Sequence, residues 1–324
     1  MLTGTASDSA VCGERFVTWP APPVYVPRMS TNRFAPSVFA CALALATVLP
    51  WATARAQAPA SATAPAAGPP PAGPSPFGGP PPAPVPGVIP FASPESMTRL
   101  SRATAKVDFF HLANHFESQQ NLGYCGPTSS TIVLNALRAD DKTIAKPKDP
   151  GLFPAEYRKS LPPGLDPVFA RYTQSTFFDA QTTGVKTRDQ FFGKPKAPGA
   201  KPSPGLELRE LSQILAAHGL AAELRVADDT LTDAVIKREL ITNLSTPDDY
   251  ALVNYFRPAV GQSGGGHISP LGAYDKKSDS FLILDVNPNG HPWVWVPAAV
   301  LIKAMRTADV NENRGYVLVR EGAR

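Results

Sequence analysis

The stretch "ESQQNLGYCGPTSSTIVLNAL", Glu117 to Leu137, sets a cysteine between an aromatic residue and Gly-Pro, directly before a helical run. A thiol becomes a strong nucleophile when its pKa falls, and the partial positive charge of a helix N-terminus lowers it. Cys125 is placed for that effect, although a free cysteine in such a stretch is as often an inert, packed residue. A base must come from elsewhere. His267, in "GQSGGGHISP", stands where a glycine-rich loop becomes a strand, a position from which a side chain can face a cleft. Asp285 ends the apolar run "FLILD", which would hold a carboxylate partly buried; a strand-end Asp also serves as a turn or cap former. Gln119, shortly before the thiol, is a natural amide donor for an oxyanion. In such a set the base takes the thiol proton, the acid fixes the imidazole tautomer, and the amide steadies the oxyanion.

The other histidines offer less. His111 and His115 are i,i+4 on an expected helix, but no acidic pattern nearby completes a metal site, so both read as structural or surface residues and no protein metal ligand is assigned. His218 falls at a helix end, and His291, beside Pro292 and Trp293, is either structural or substrate-facing. Gly264, Gly265 and Gly266 lack a following Gly-Lys-Ser/Thr and read as a hinge, not as a phosphate loop.

These residues need elements to carry them. Residues 126–137 read as a helix buried nearly all round, with Pro127 tolerated in its first turn. "LELRELSQILAAHGL" reads as a second helix, with Leu208, Leu211 and Leu215 aligned and Gly219 as its stop. Residues 139–167, rich in Lys, Asp and Pro, read as surface loop. The apolar runs at 250–256, 268–274, 280–286 and 315–320 read as strands. Helices first and strands afterwards indicate an α+β fold with an antiparallel sheet.

Composition narrows the partners. A net charge of +4 without a basic block or aromatic-interleaved stripe argues against nucleic acid. Arg28 and Arg33, the apolar run from Phe34, and Ala54-Arg55-Ala56 predict a cleavable signal over 1–56, with Met29 as an alternative start and a periplasmic destination without a membrane anchor. Residues 57–95, mostly Pro, Ala and Gly, read as a disordered linker, and 96–324 as the catalytic domain. Of three cysteines, Cys12 and Cys41 fall in the signal, so the mature chain cannot form an internal disulfide. Cys125 is then a buried small residue, an intermolecular link or a reactive thiol.

The order Cys, then His about 140 residues on, then a third partner soon after is the papain-like arrangement. The segments "FESQQNLGYCGPTSSTIVLNAL", "YTQSTFFDAQT", "GLELRELSQILAAHGL" and "GGGHISPLGAYDKKSDSFLILDV" resemble, in one order, those of the phytochelatin synthases. That resemblance implies a papain-like fold in which a helical part carrying the cysteine packs against an antiparallel sheet carrying His and Asp. It implies Cys125 as nucleophile, His267 as base, Asp285 as orienting acid and Gln119 as oxyanion donor. It further implies attack on the Cys-Gly amide of glutathione, with no tightly bound cofactor. A heavy-metal ion such as cadmium would enter as metal-thiolate substrate or activator, γ-glutamylcysteine peptides would be acceptors or products, and a homodimer is compatible with it.

Two features depart from the family pattern. Where the family has D-V-x-R-x-K-Y-P-P-x-W, this chain has "DVNPNGHPWVW", with Pro288 and Gly290 in place of the basic residues; the cysteine-rich C-terminal region of plant and yeast members has no counterpart. The expectation is a bacterial-type enzyme dominated by glutathione deglycylation. A peptidase of the same superfamily, with "WVW" beside the cleft receiving a peptide, and a non-catalytic thiol-peptide or metal-binding module are the alternatives.

Overall fold

A computed structural model describes residues 82–323. The expected signal and most of the linker lie outside the described residues, as do Cys12 and Cys41. Seven strands, β1 (Ile89–Pro90), β2 (Leu220–Val226), β3 (Asp249–Phe256), β4 (Gly266–Asp275), β5 (Ser280–Ile283), β6 (Val294–Pro297) and β7 (Gly315–Glu321), form one sheet among the described residues. Its order is β1-β6-β5-β4-β3-β7-β2, and every pairing is antiparallel. The helices are α1 (Pro94–Arg102), α2 (Phe109–Asn114), α3 (Cys125–Arg138), α4 (Ala155–Arg158), α5 (Ala180–Val185), α6 (Arg188–Phe191), α7 (Leu208–Ala217), α8 (Asp233–Asn243) and α9 (Ala298–Met305). This is the expected α+β layout, a thiol-bearing helix against an antiparallel sheet. None of the described helices is long and apolar enough to cross a membrane.

The central strands are apolar on both faces because both faces are covered. Ile132 and Val133 of α3 and Leu211 and Leu215 of α7 join one core with Leu252, Ile268, Leu282 and Val317. Ile236 and Leu240 of α8 and Leu301 and Ile302 of α9 join a second with Val253, Leu271, Phe281 and Ile283. Helix α3 is enclosed almost everywhere, as its all-round apolar pattern requires. Helix α7 stops at Gly219, whose φ of +84° lies in the left-handed region that glycine enters without penalty.

The second helical layer and three strands go beyond the sequence expectation. Helix α8 buries only Ile236, Leu240 and Asn243, too thin a stripe to stand out, and β6 is four residues long. The linker boundary is also corrected. Ile89 and Pro90 pair with Trp295 and Val294, and Ser93 caps α1 through the Ser96 amide, so the end of the expected linker belongs to the domain. The excursion at 139–167 is mostly exposed, as expected, apart from short helical turns.

Strand β4 carries a bulge at Gly272, where its register with β5 shifts between Leu271 and Ala273. A Cβ there would lie 2.9 Å from Leu284 Cδ2 and 3.1 Å from Phe109 Cδ2, whereas a Cβ on Gly184, in α5, would meet nothing within 4 Å. Urea denaturation should therefore show Gly272→Ala losing about 1–3 kcal/mol by overpacking, and Gly184→Ala unchanged or gaining up to about 1 kcal/mol from helix propensity.

Candidate active site

Cys125 opens α3 and is partly exposed. Tyr124 precedes it as N-cap without any side-chain cap, so the first-turn amides, which have no partners within the helix, add their positive end to the thiol's surroundings. The thiol lies in a cleft of about 420 Å³ whose walls include Leu122, Leu206, Asn254, His267 and Asp309. Gly126 permits one of those walls: a Cβ on it would stand 2.7 Å from Leu206 Cδ1. One turn on, the buried Ser129 hydroxyl donates to the Ile268 carbonyl at 3.1 Å, tying the thiol's helix to the strand that carries His267.

His267, on β4, is 4% exposed and lines the same cleft as Cys125, whose thiol it influences electrostatically. Its Nε2 lies 2.9 Å from Asp285 Oδ1 and 2.9 Å from Ser269 Oγ, which leaves Nδ1 for Cys125. Asp285 follows β5 by two residues and is fully buried. Arg257 grips it with two bonds, Nη1 to Oδ2 at 2.8 Å and Nη2 to Oδ1 at 3.0 Å. The Tyr255 hydroxyl donates to Oδ2 at 3.1 Å and the Asn287 amide to Oδ1 at 2.9 Å. Gln262 closes the cluster by accepting from Arg257 Nη1 at 2.6 Å. Strand register does the placing, because Tyr255 stands directly opposite His267 in the β3–β4 ladder and the two rings meet edge-on at 5.6 Å.

These contacts decide protonation. Burial opposes the charged form of Cys125, but the His267 ring, the Ile268 amide and the Arg257 charge outweigh it and leave the thiol below its ordinary pKa. Burial likewise opposes a charged His267, and Asp285 outweighs it, so the imidazole stands above its ordinary value. Burial works against an ionised Asp285 as well, yet His267 and Arg257 drive its carboxyl far below the usual range. The lowered thiol and raised imidazole favour a thiolate–imidazolium pair, a nucleophile that carries its own proton donor.

Gln119 is buried and anchored by its amide to the Val286 carbonyl at 2.7 Å. Its Nε2 donates to the Asn121 carbonyl at 2.8 Å, while Oε1 is buried without a partner. His291 lies outside the thiol cluster. Its Nε2 is 2.9 Å from the Ser263 carbonyl, and burial holds it below its ordinary pKa, which makes it a neutral latch on the glycine-rich loop. His218 packs between Phe177 and Tyr172. His111 and His115 are not near the thiol; His115 lines a separate pocket with Glu117 and Arg171. Pro288 and Gly290 occupy an exposed turn after Asp285, closed by the His291 amide on the Asn287 carbonyl at 2.8 Å.

The expectation that "WVW" lines the cleft is corrected. Trp295 is fully buried with Nε1 on Ser96 Oγ at 2.9 Å, and Trp293 packs among Phe91, Phe109 and Phe116. Strand alternation puts both rings on one side of β6, toward the core. Sequence reasoning missed Arg257, Tyr255, Gln262 and Ser129. The signal that could have found the first was a lone arginine directly after the apolar run "YALVNYF", and for Ser129 the polar run "TSS" inside a helix otherwise built to be buried.

The rate of any thiol-dependent reaction here should trace a bell against pH, rising as the thiolate forms and falling as the imidazolium loses its proton. Asp285→Asn removes the charge that holds the His267 proton, so the basic limb should move down. With the imidazolium weakened the thiolate loses support, so the acidic limb should move up, and the bell narrows from both sides; limbs that stay in place would contradict this electrostatic account. Ser129→Ala should lower the rate with KM little changed, at a stability cost of about 1 kcal/mol.

The sequence matches the phytochelatin synthase family over residues 82–150 and 166–316. The unmatched interval falls in the exposed excursion between α3 and α5. Among proteins of assigned activity the chain is similar to glutathione gamma-glutamylcysteinyltransferase 3 of Lotus japonicus, 30% identical over 244 residues, 73% of this chain and 43% of that protein. It is also similar to glutathione gamma-glutamylcysteinyltransferase 1 of Arabidopsis thaliana, 28% identical over 73% of this chain and 42% of that one. The glutathione gamma-glutamylcysteinyltransferase of Schizosaccharomyces pombe is 28% identical over 65% and 43% of the two chains. The chain thus spans about two-fifths of the length of the curated relatives it matches, and the matched part carries Cys125, His267 and Asp285. With the family match covering most of the chain, the protein belongs to the phytochelatin synthase family.

Proposed function

We propose that the chain is a glutathione γ-glutamylcysteinyltransferase that works through a thioester on Cys125, with hydrolysis as its main outcome. The observation that carries this reading is the Cys125–His267–Asp285 line at the head of α3, in a cleft the size of a small peptide and in a chain whose relatives bear that name. The Cys125 thiolate attacks the carbonyl carbon of the Cys-Gly amide. As the tetrahedral oxyanion collapses, the C–N bond breaks and the His267 imidazolium gives its proton to the departing glycine amine. The α3 first-turn amides supply donors for the oxyanion, and Gln119, whose Nε2 keeps one hydrogen beyond its bond to the Asn121 carbonyl, is the side-chain donor we assign. Deacylation reverses the roles: neutral His267 takes a proton from water, the hydroxide adds to the thioester, and γ-glutamylcysteine leaves as the thiolate is restored.

The same thioester can be taken by the α-amine of a second glutathione, metal-bound or free, which lengthens the chain to a phytochelatin; heavy metal is then part of the substrate. Holding that acceptor's carboxylates would call for charge-assisted bonds. Pro288 and Gly290 supply no cation, so water has the advantage. The N-terminal residues 1–56 read as an export signal, and we place the reaction outside the cytosol, where Cys125 depends on a reducing thiol to stay active.

Mass spectrometry of the protein with glutathione and reductant, with and without cadmium, should show glycine release and a γ-glutamylcysteinyl adduct on Cys125, both absent in Cys125→Ala. Absence of glycine release from the parent would end the proposal. Pro288→Arg should raise the ratio of γ-glutamylcysteine oligomers to free γ-glutamylcysteine severalfold, and an unchanged ratio would mean that the missing cation does not set the outcome.

A further inference from the structure

Three metal-ligating side chains converge away from the thiol cleft, where α2 and β3 begin. Asp108 is the N-cap of α2, His111 lies in that helix, and Asp248 immediately precedes β3; their ligand atoms all lie within 4.8 Å of one another. The Val107 amide donates to the Leu244 carbonyl at 3.1 Å and holds the two segments together. The sequence pairs His111 with His115 and offers no acid to complete a site. The fold instead leaves His115 out of the group, sets Asp108, the cap of the same helix, beside His111 and brings in Asp248 from a distant segment.

A small cavity lined by Asp108, Asp249 and Tyr250 opens beside this group. Asp108 Oδ2 is buried without a hydrogen-bond partner. Tyr250, 1% exposed, turns its hydroxyl toward the same place, also without a partner. It lines the cavity with Asp108 yet bonds neither Asp108 nor Asp249. Asp249 Oδ1 is a third unpartnered buried oxygen on the same small cavity, which Asp108, Asp249 and Tyr250 line together. Buried polar atoms are almost always paired, so several facing one gap indicate a missing occupant. Asp108 belongs both to this cavity and to the group with His111 and Asp248, and its unpartnered carboxylate oxygen calls for a positive occupant at their junction.

We propose that Asp108, His111 and Asp248 form a divalent-cation site that fastens the start of α2 to the start of β3. Two carboxylate oxygens and one imidazole nitrogen balance a doubly charged ion. This mixed set suits a borderline cation such as Zn²⁺ better than Mg²⁺ or Ca²⁺, which prefer oxygen alone. Water completes the coordination, and the Tyr250 hydroxyl bonds that water as an outer partner. The ion holds α2 in place, and with it Phe109, which packs against the Gly272 bulge.

The test uses the full chain carrying Cys125→Ala, so that the thiol and His267 cannot together capture the probe. Calorimetric titration with Zn²⁺ should show a single site, Zn²⁺ should raise the thermal midpoint, and Co²⁺ should give a visible absorption band that Zn²⁺ displaces. His111→Ala, at an exposed position, and Asp248→Asn, whose left-handed φ of +58° asparagine also accepts, should each weaken binding by about tenfold or more. His115→Ala should not. Zn²⁺ uptake unchanged in both His111→Ala and Asp248→Asn would overturn the proposal. No uptake and no thermal shift in the Cys125→Ala chain would also overturn it and leave the gap to water.

Discussion

A carboxylate that stays ionised with no exposure to water governs the geometry of the thiol cleft. Burying the Asp285 charge alone would cost several kcal/mol, so the surrounding chain is arranged to supply donors: two from Arg257, one each from Tyr255, His267 and the Asn287 amide. Arg257 cannot release its proton, so the charge on Asp285 is fixed. What results is a line in which the Arg257 charge favours an ionised Asp285, Asp285 favours a protonated His267, and His267 in turn favours a thiolate at Cys125. The lowered pKa of the thiol at one end is due in part to a guanidinium that is itself buried.

That line crosses three elements, and the packing of the sheet keeps it straight. Arg257 leaves the end of β3, His267 enters at the start of β4, and Asp285 follows β5, three neighbouring strands of one ladder. Helix α3 is pressed onto the same ladder by an apolar face and by the Ser129 hydroxyl. Covering the sheet on both sides makes this support rigid, since neither face of β3, β4 or β5 is free to shift toward solvent. Reactivity then belongs to the N-terminus of one helix, and its tuning to side chains that the sheet holds still.

The parts of this arrangement legible in the sequence were those set by local pattern. Helix α3 and the Gly219 stop follow from periodicity and from glycine's freedom at positive φ, and the four central apolar runs followed from strand signals. Gln119, Cys125, His267 and Asp285 stood out by residue type at an element's edge. Arg257 and Tyr255 did not, because nothing in "YFRPAV" says that a carboxylate waits across the hairpin; only the register that sets Tyr255 opposite His267 does so. The tryptophans misled for the opposite reason. Their place beside Asp285 in the chain looked like nearness to the cleft, whereas β6 runs along β5 and turns both rings into the core. Asp108 stands three residues before His111, but the second acid was not legible because Asp248 arrives only through the packing of α2 against the approach to β3.

The direct opposition of Tyr255 and His267 restricts how the family's chains can vary in length. Side chains alternate along a strand, so one residue inserted into β3, or into β4 ahead of His267, would carry Tyr255 or His267 to the far face and break the line of charge. Insertions are tolerable only where the ladder is not counted, in the Gly261–Gly265 connection or outside the hairpin. The excursion between α3 and α5, where this chain leaves the family pattern, lies in such ground. Lineages are thus free to add and remove residues in that excursion, while the hairpin that carries Tyr255 and His267 changes by substitution alone.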